Sequence, residues 1–215
     1  MKNWNFKFLP RLQRDNRLHQ LEVPIIALTG GIATGKSTVS QILKQANFPI
    51  IDADRLIHKI YQHTQTKAFI FQHYPQVKNH DEEINFPALR KILFDQPDQL
   101  SIVEEFLYPL LKIEFLNEFN NFSQPNFIIY DVPLLYEKKL DPLVDYKVVV
   151  YCSREEQIER IKLRDNSPDE TIQKILMRQI DIESKSKCAD YIIKNQATLD
   201  DLKIEIETFI NNTFY

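Results

Sequence analysis

The stretch Ile25-Ile26-Ala27-Leu28-Thr29-Gly30-Gly31-Ile32-Ala33-Thr34-Gly35-Lys36-Ser37-Thr38-Val39 decides the fold. Ile25 to Leu28 form the short apolar run that a parallel strand buried on both faces requires. The residues from Gly30 to Ser37 fit G-x-x-x-x-G-K-[ST], a loop whose backbone N–H groups turn inward around a phosphate. Beyond it Val39, Ile42, Leu43 and Ala46 recur at helical spacing, so a strand enters the loop and a helix leaves it. Such a helix aims the positive end of its dipole at the bound anion. Lys36 supplies a point charge across the β- and γ-phosphates, and the Ser37 hydroxyl suits Mg²⁺. Gly31, Ile32, Ala33, Thr34, Gly35, Lys36, Ser37 and Thr38 are the predicted nucleotide-binding residues.

Composition sharpens this reading. The chain of 215 residues holds three glycines, Gly30, Gly31 and Gly35, all inside this loop. No second glycine-dependent site can exist, which excludes a D-x-x-G switch, a transporter-ATPase signature loop and a G-x-G-x-x-G dinucleotide turn. Apolar residues make up 43 %, enough for a sizeable core, and the net charge of -3 gives no basic field for a nucleic acid. Cys152 and Cys188 lie far apart and form no C-x-x-C, which fits a reducing cytoplasm. No apolar run reaches the ~20 residues a membrane span needs. The five histidines, His19, His58, His63, His73 and His80, show no metal-ligand spacing. Residues 1–23 carry Lys2, Lys7, Arg11, Arg14 and Arg17 against Asp15 and Glu22. With no clear period and no secretory apolar stretch, they read first as a dispensable extension, the alternatives being a basic arm, a transit-like segment or an extension docked through Trp4, Phe6 and Phe8.

Outward from the loop, Phe48 to Ile51 reads as a second strand ending in Asp52-Ala53-Asp54. Asn126 to Tyr130 reads as a third, closed by Asp131-Val132-Pro133, Tyr146 to Tyr151 as a fourth, and Tyr191 to Ile193 as a fifth. Helical patterns separate them: 55–122, with a stripe at Leu100, Val103, Leu107, Leu110 and Leu111; 154–187, broken near Asn166-Ser167-Pro168; and Leu199 to Ile210. This alternation predicts an α/β fold with a five-stranded parallel sheet flanked by helices.

Candidate chemistry follows from position. Asp52 and Asp54 lie at the carboxyl end of the second strand, where open sheets bind ligands. Two residues apart on an extended segment, they face the same side, and one could accept a hydroxyl proton. A helix N-cap is the competing role. Arg160 and Arg164 share a helical face and could meet transferring phosphate oxygens. The alternative is a solvated face paired with Glu156 and Glu159. Asp131 ends the third strand, where a carboxylate could hold Mg²⁺ or its water.

These pieces in this order resemble the dephospho-coenzyme A kinase family. The resemblance rests on Leu28 to Ile32 leading into Gly35 to Val39, then Ile51-Asp52-Ala53-Asp54, and Asp131-Val132-Pro133-Leu134-Leu135-Tyr136-Glu137. It continues in Gln157-Ile158-Glu159-Arg160, Arg164-Asp165 and Ala189 to Asn195, over roughly 24–211. It implies a P-loop kinase core (24–54, 126–152 and 190–215), a helical substrate-binding domain (55–125) and a helical lid (153–189). It implies γ-phosphate transfer from ATP, with Mg²⁺, to the 3′-hydroxyl of the dephospho-CoA ribose, by a cytoplasmic monomer or small homo-oligomer. Asp54 is then the base, Lys36 and Arg160 the phosphate-handling pair, and Asn195 a neighbour of adenine. Thr29, Asp52, His58, Pro133, Leu134 and Leu135 would join Asp54 in acceptor binding, with Ser37 and, in a second shell, Asp131 serving the metal. The rivals are a nucleoside monophosphate kinase and a non-catalytic nucleotide switch. Ala33 stands where the family usually has glycine, which is tolerable if its φ is negative. Tyr108-Pro109, Tyr136 and Lys194 are further departures.

Overall fold

The computed structural model describes residues 4–8, 10–166 and 168–215; Lys2 and Ser167, used above, lie outside them. The described chain forms two compact units, one of residues 1–52 with 122–215 and one of Ala53–Asn121.

In the first unit, β1 (Ile25–Gly30), β2 (Ile50–Asp52), β3 (Ile128–Asp131), β4 (Tyr146–Tyr151) and β5 (Tyr191–Lys194) make one sheet. Its order is β2-β3-β1-β4-β5 and every pairing is parallel. All of β1 is buried, as its central place demands. The helix α1 (Lys36–Gln45) follows the loop, and α9 (Leu199–Thr213) closes the chain. Val39 and Leu43 of α1 and Leu202, Ile206 and Phe209 of α9 share one core with Ile26, Leu28, Val148 and Val150. Thr198 and Asp201 form a capping box that starts α9.

The amino-terminal arm packs on this core through Trp4 and Phe6, as the docked alternative has it and against the reading of a dispensable extension. Trp4 stacks on Phe48 with ring centroids 4.7 Å apart and donates its indole N–H to the Ala46 carbonyl. Phe6 lies against Phe127, Tyr146 and Phe214. Asn5 and Lys7 pair antiparallel with Tyr215 and Thr213 of the carboxyl terminus. Arg17 is buried and grips Asp145 through Nε (2.6 Å) and Nη2 (3.0 Å). The arm's aromatic residues carry no sequence period, so the pattern hides how much apolar surface they bury.

The segment expected to be a lid holds α6 (Arg154–Asp165), α7 (Asp169–Leu176) and α8 (Ile182–Lys187). A Ser153–Glu156 capping box starts α6, and Asn166 ends it in the left-handed conformation. Ile161, Ile172 and Leu176 pack together with Ile32 and Ala33 of the loop.

The second unit is α2 (Ala53–Tyr61), α3 (Thr64–His73), α4 (Phe86–Asp95) and α5 (Pro97–Asn120). Ile60, Ile70, Leu89, Leu93, Val103 and Leu107 form its core. Leu100 is an exposed member of the expected stripe, one turn outside that core. Tyr108 and Pro109 sit in mid-helix, with the Tyr108 hydroxyl on Glu104 at 3.0 Å. Burial, and then that hydrogen bond, push this phenol up to about 12.

Candidate active site

The phosphate loop joins the buried end of β1 to α1. Gly35 has φ +90°, and a side chain there would collide with the Asn195 amide. Gly30 is needed for close approach instead, because a Cβ would lie 2.7 Å from Thr34 Oγ1 and 2.8 Å from the Val150 carbonyl oxygen. A Cβ at Gly31 would strike the Gln157 amide. Ala33 adopts φ +60°, so the condition of a negative value under which alanine is tolerated without strain is not met. For an L-residue that conformation costs roughly 1–2 kcal/mol, and it persists where surrounding contacts over-determine it.

Those contacts come mostly from the 153–189 segment. Gln157 Nε2 donates to the Ile32 carbonyl (2.6 Å), and the Ile32 N–H donates to Gln179 Oε1 (2.9 Å). Arg160 Nη1 donates to the Ala33 carbonyl (3.3 Å) and Nη2 to the Asn195 carbonyl (2.7 Å). Asn195 Nδ2 in turn donates to the Thr34 carbonyl (2.8 Å), and Thr34 Oγ1 to the Gly31 carbonyl (2.9 Å). Cys152 is buried beneath Ala33; burial pushes its thiol up to about 11 against the opposing charge of Arg160. The thiol therefore stays protonated at neutral pH and is no nucleophile.

Lys36 opens α1 and its ammonium pairs with Asp131, which ends β3 and is 2 % exposed. Ser37 and Thr38 follow in the first turn of α1. Asp52 ends β2 directly across from Asp131, and Lys44 Nζ reaches it at 3.5 Å. Asp54 lies in the first turn of α2, where the positive helix end favours a carboxylate. The expectation that Asp52 and Asp54 share one side of an extended segment is corrected, because the strand stops at Asp52 and the helix begins at Ala53. His58 of the same helix stacks on Phe86 at 6.3 Å.

Thr29 is fully buried and donates its hydroxyl to the Pro133 carbonyl at 3.1 Å, so it reaches the Pro133 turn through the backbone. Pro133 and Leu134 are partly exposed, whereas Leu135 is wholly buried and serves as core. Arg164 does not join Arg160 at the loop. Its guanidinium pairs with the adjacent Asp165 at 2.7 and 2.8 Å. Arg160 touches Glu156 as well as the Ala33 carbonyl of the loop.

Sequence reasoning gave no role to Gln157, Gln179, Lys185 or Glu137. Gln157 and Glu137 lie inside quoted motifs, but only the folded chain carries them to the loop and the Pro133 turn. A glycine loop between a central parallel strand and a helix, its lysine on the neighbouring strand-end aspartate, is the site of a P-loop kinase. The family model described as dephospho-CoA kinase matches residues 24–201. The chain belongs to the dephospho-CoA kinase family. Among its relatives is a dephospho-CoA kinase of Helicobacter pylori, 39 % identical over 86 % of this chain and 95 % of that protein. One of Wolinella succinogenes is 35 % identical over 86 % and 92 %. The dephospho-CoA kinase structure from Campylobacter jejuni is 28 % identical and superposes with a TM-score of 0.64, covering 87 % of this chain and 96 % of that one. The fold also matches TT1252 from Thermus thermophilus at a TM-score of 0.79, covering 89 % and 98 %, with 23 % identity. Among the described residues no helix is long and apolar enough to cross a membrane.

Proposed function

We propose that this ATP-dependent kinase transfers the γ-phosphate of ATP to the 3′-hydroxyl of the dephospho-CoA ribose, giving coenzyme A and ADP. The observation that carries the reading is the Lys36–Asp131 contact at the end of a clamped phosphate loop, in a chain of this family. The loop N–H groups of Ala33, Gly35, Lys36 and Ser37 cradle the phosphates, that of Ile32 being held by Gln179. Lys36 leaves Asp131 for the β- and γ-phosphates, exchanging one anionic partner for another. Arg160 steadies Ala33 and Asn195 and has donors to spare for a transferring phosphoryl group. Arg164 would assist by exchanging Asp165 for phosphate.

The donors near the loop fit Mg²⁺, because the Ser37 hydroxyl and the Asp131 carboxylate are hard oxygen ligands. Mg²⁺, when bound, would neutralise charge developing between the β- and γ-phosphates. Asp54 is the proposed base: its carboxylate takes the 3′-hydroxyl proton as that oxygen attacks the γ-phosphorus and the bond to the β-phosphate oxygen breaks. Asp52, His58, Pro133 and Leu134 are proposed to contact the acceptor, and Asn195 the adenine end of ATP. A cytoplasmic location rests on the cysteine usage and the nature of the substrates.

The test is ADP release with Mg²⁺ and ATP across dephospho-CoA, AMP, CMP, adenosine and shikimate. Turnover with dephospho-CoA well above the others is expected. Equal or better turnover with a nucleoside monophosphate would sink the assignment.

A further inference from the structure

Lys185 is a buried cation that the reaction itself does not use. Its side chain is 0 % exposed and its ammonium has three acceptors: Glu137 Oε1 at 2.8 Å and the carbonyls of Gly30 and Pro133, each at 3.2 Å. An ammonium has three protons, so each finds one partner. Gly30 begins the phosphate loop, and Pro133 begins the turn after β3. The Pro133 carbonyl is shared with the Thr29 hydroxyl, and Glu137 Oε1 also accepts the Ile180 N–H at 3.0 Å. One residue before Ile180, Gln179 accepts the Ile32 N–H. The short stretch from Gln179 to Lys185 therefore holds both flanks of the first loop turn, at Gly30 and Ile32, and ties them to the Pro133–Glu137 turn.

Stability alone is a poor reason for such an arrangement. A buried ion pair gains little over apolar residues of the same volume, because desolvating two charges offsets their attraction. Glu137 Oε2 is buried with no hydrogen-bond partner among the described residues, so the pair is also incompletely satisfied. What the arrangement does achieve is register. A three-way ammonium fixes two carbonyls and a carboxylate at set distances, and it does so between the element that holds the donor phosphates and the turn beside β3.

We propose that Gln179 and Lys185 are positioning residues for phosphoryl transfer, setting the phosphate loop in register with the Pro133–Glu137 turn while touching neither substrate. The proposal rests on the kinase reading above. In-line transfer is sensitive to such register, since a misplacement of about 1 Å can cost roughly 100-fold in rate.

Two variants test it. K185M/E137Q removes both charges together, so no buried ion is stranded, and the glutamine oxygen still accepts from Ile180. Q179A removes an uncharged, half-buried side chain. We expect K185M/E137Q to melt within a few degrees of wild type and to lose about 10- to 100-fold in kcat. Q179A should keep its melting temperature and lose several-fold in kcat. Both should weaken ATP binding by titration, while KM for dephospho-CoA moves less than kcat. The proposal is overturned if Q179A keeps wild-type kcat and ATP affinity, or if K185M/E137Q loses activity only in proportion to its folded fraction. If wild type itself does not turn over dephospho-CoA, the functional reading fails. The ATP titrations then still report on the loop, and wild-type affinity in both variants overturns the proposal by itself.

Discussion

Replacing Arg17 by methionine should destabilise the protein far from its active site. The Arg17 and Asp145 side chains are 3 % and 0 % exposed, and the guanidinium holds the carboxylate through two nitrogens. It also donates to the carbonyls of Leu12 (2.6 Å) and Leu21 (2.8 Å). Burial alone would raise the Asp145 pKa. The Arg17 hydrogen bond, the N–H groups of Ile25 and Leu12 and the Arg17 charge outweigh it and hold the carboxyl below its ordinary value. In Arg17→Met the anion stays buried without its cation, a situation that costs about 3–5 kcal/mol. For a chain of this size, 1 kcal/mol corresponds to roughly 2–4 °C in Tm, so a fall of about 6–20 °C is expected at pH 7. The pH dependence has a definite sign. In wild type the depressed pKa contributes stability that is present above the ordinary carboxylate range and lost as pH falls through the folded value. In the variant the Arg17 hydrogen bond and charge are gone, so the folded pKa rises relative to wild type. The deficit against wild type is therefore greatest at neutral pH and shrinks as acid protonates Asp145. Arg17→Met/Asp145→Asn should recover much of the loss at pH 7. Denaturant unfolding at several pH values between 4 and 8 measures all of this. A loss under about 1 kcal/mol, or one that does not change with pH, would refute the argument that Arg17 neutralises a buried charge.

The remaining predictions concern the arm, the loop and the proposed base. A chain beginning at Val23 should lose more stability than Arg17→Met, since Trp4, Phe6 and Leu18 go as well; a melting temperature within a few degrees of full length would contradict the packing. Ala33→Gly should relieve left-handed strain of about 1–2 kcal/mol, offset by the greater entropy of the unfolded chain; a modest rise in Tm with activity kept is expected, and a clear fall would mean the methyl contacts matter more. Lys36→Ala should abolish most turnover and also lower stability by about 1–3 kcal/mol, because it strands the buried Asp131; Lys36→Ala/Asp131→Asn should regain the stability and not the rate, and wild-type turnover at saturating ATP would dismiss the loop as the catalytic site. Asp54→Asn should lower kcat by about 10²–10⁴ with ATP affinity little changed, whereas Asp52→Asn should show a milder rate effect and an altered Mg²⁺ dependence; the opposite pattern in steady-state kinetics would transfer the role of base to Asp52.

Features that short-range chemistry dictates are legible in the residues alone. Gly30 to Ser37 announces the loop because positive φ and close backbone approach leave glycine few substitutes. Tyr146–Tyr151 is the fourth strand from end to end, its apolar run sufficient to mark a buried parallel strand. Val39 and Leu43 reveal the core face of α1 through their spacing. Features that depend on residues far apart in the chain emerge only once it is folded. The order β2-β3-β1-β4-β5 sets Asp131 beside Lys36, 95 positions away in sequence. The positive φ of Ala33 is held by Gln157, Arg160 and Gln179 arriving from another segment, and no local propensity encodes that. The arm looked dispensable because its aromatic residues follow no period, yet its burial depends on shape fitted against Phe48, Phe127 and Phe214. Periodicity reports only which face a regular element turns inward. It cannot report where an irregular segment docks, or which distant carboxylate, such as Asp145 or Glu137, waits for a buried cation.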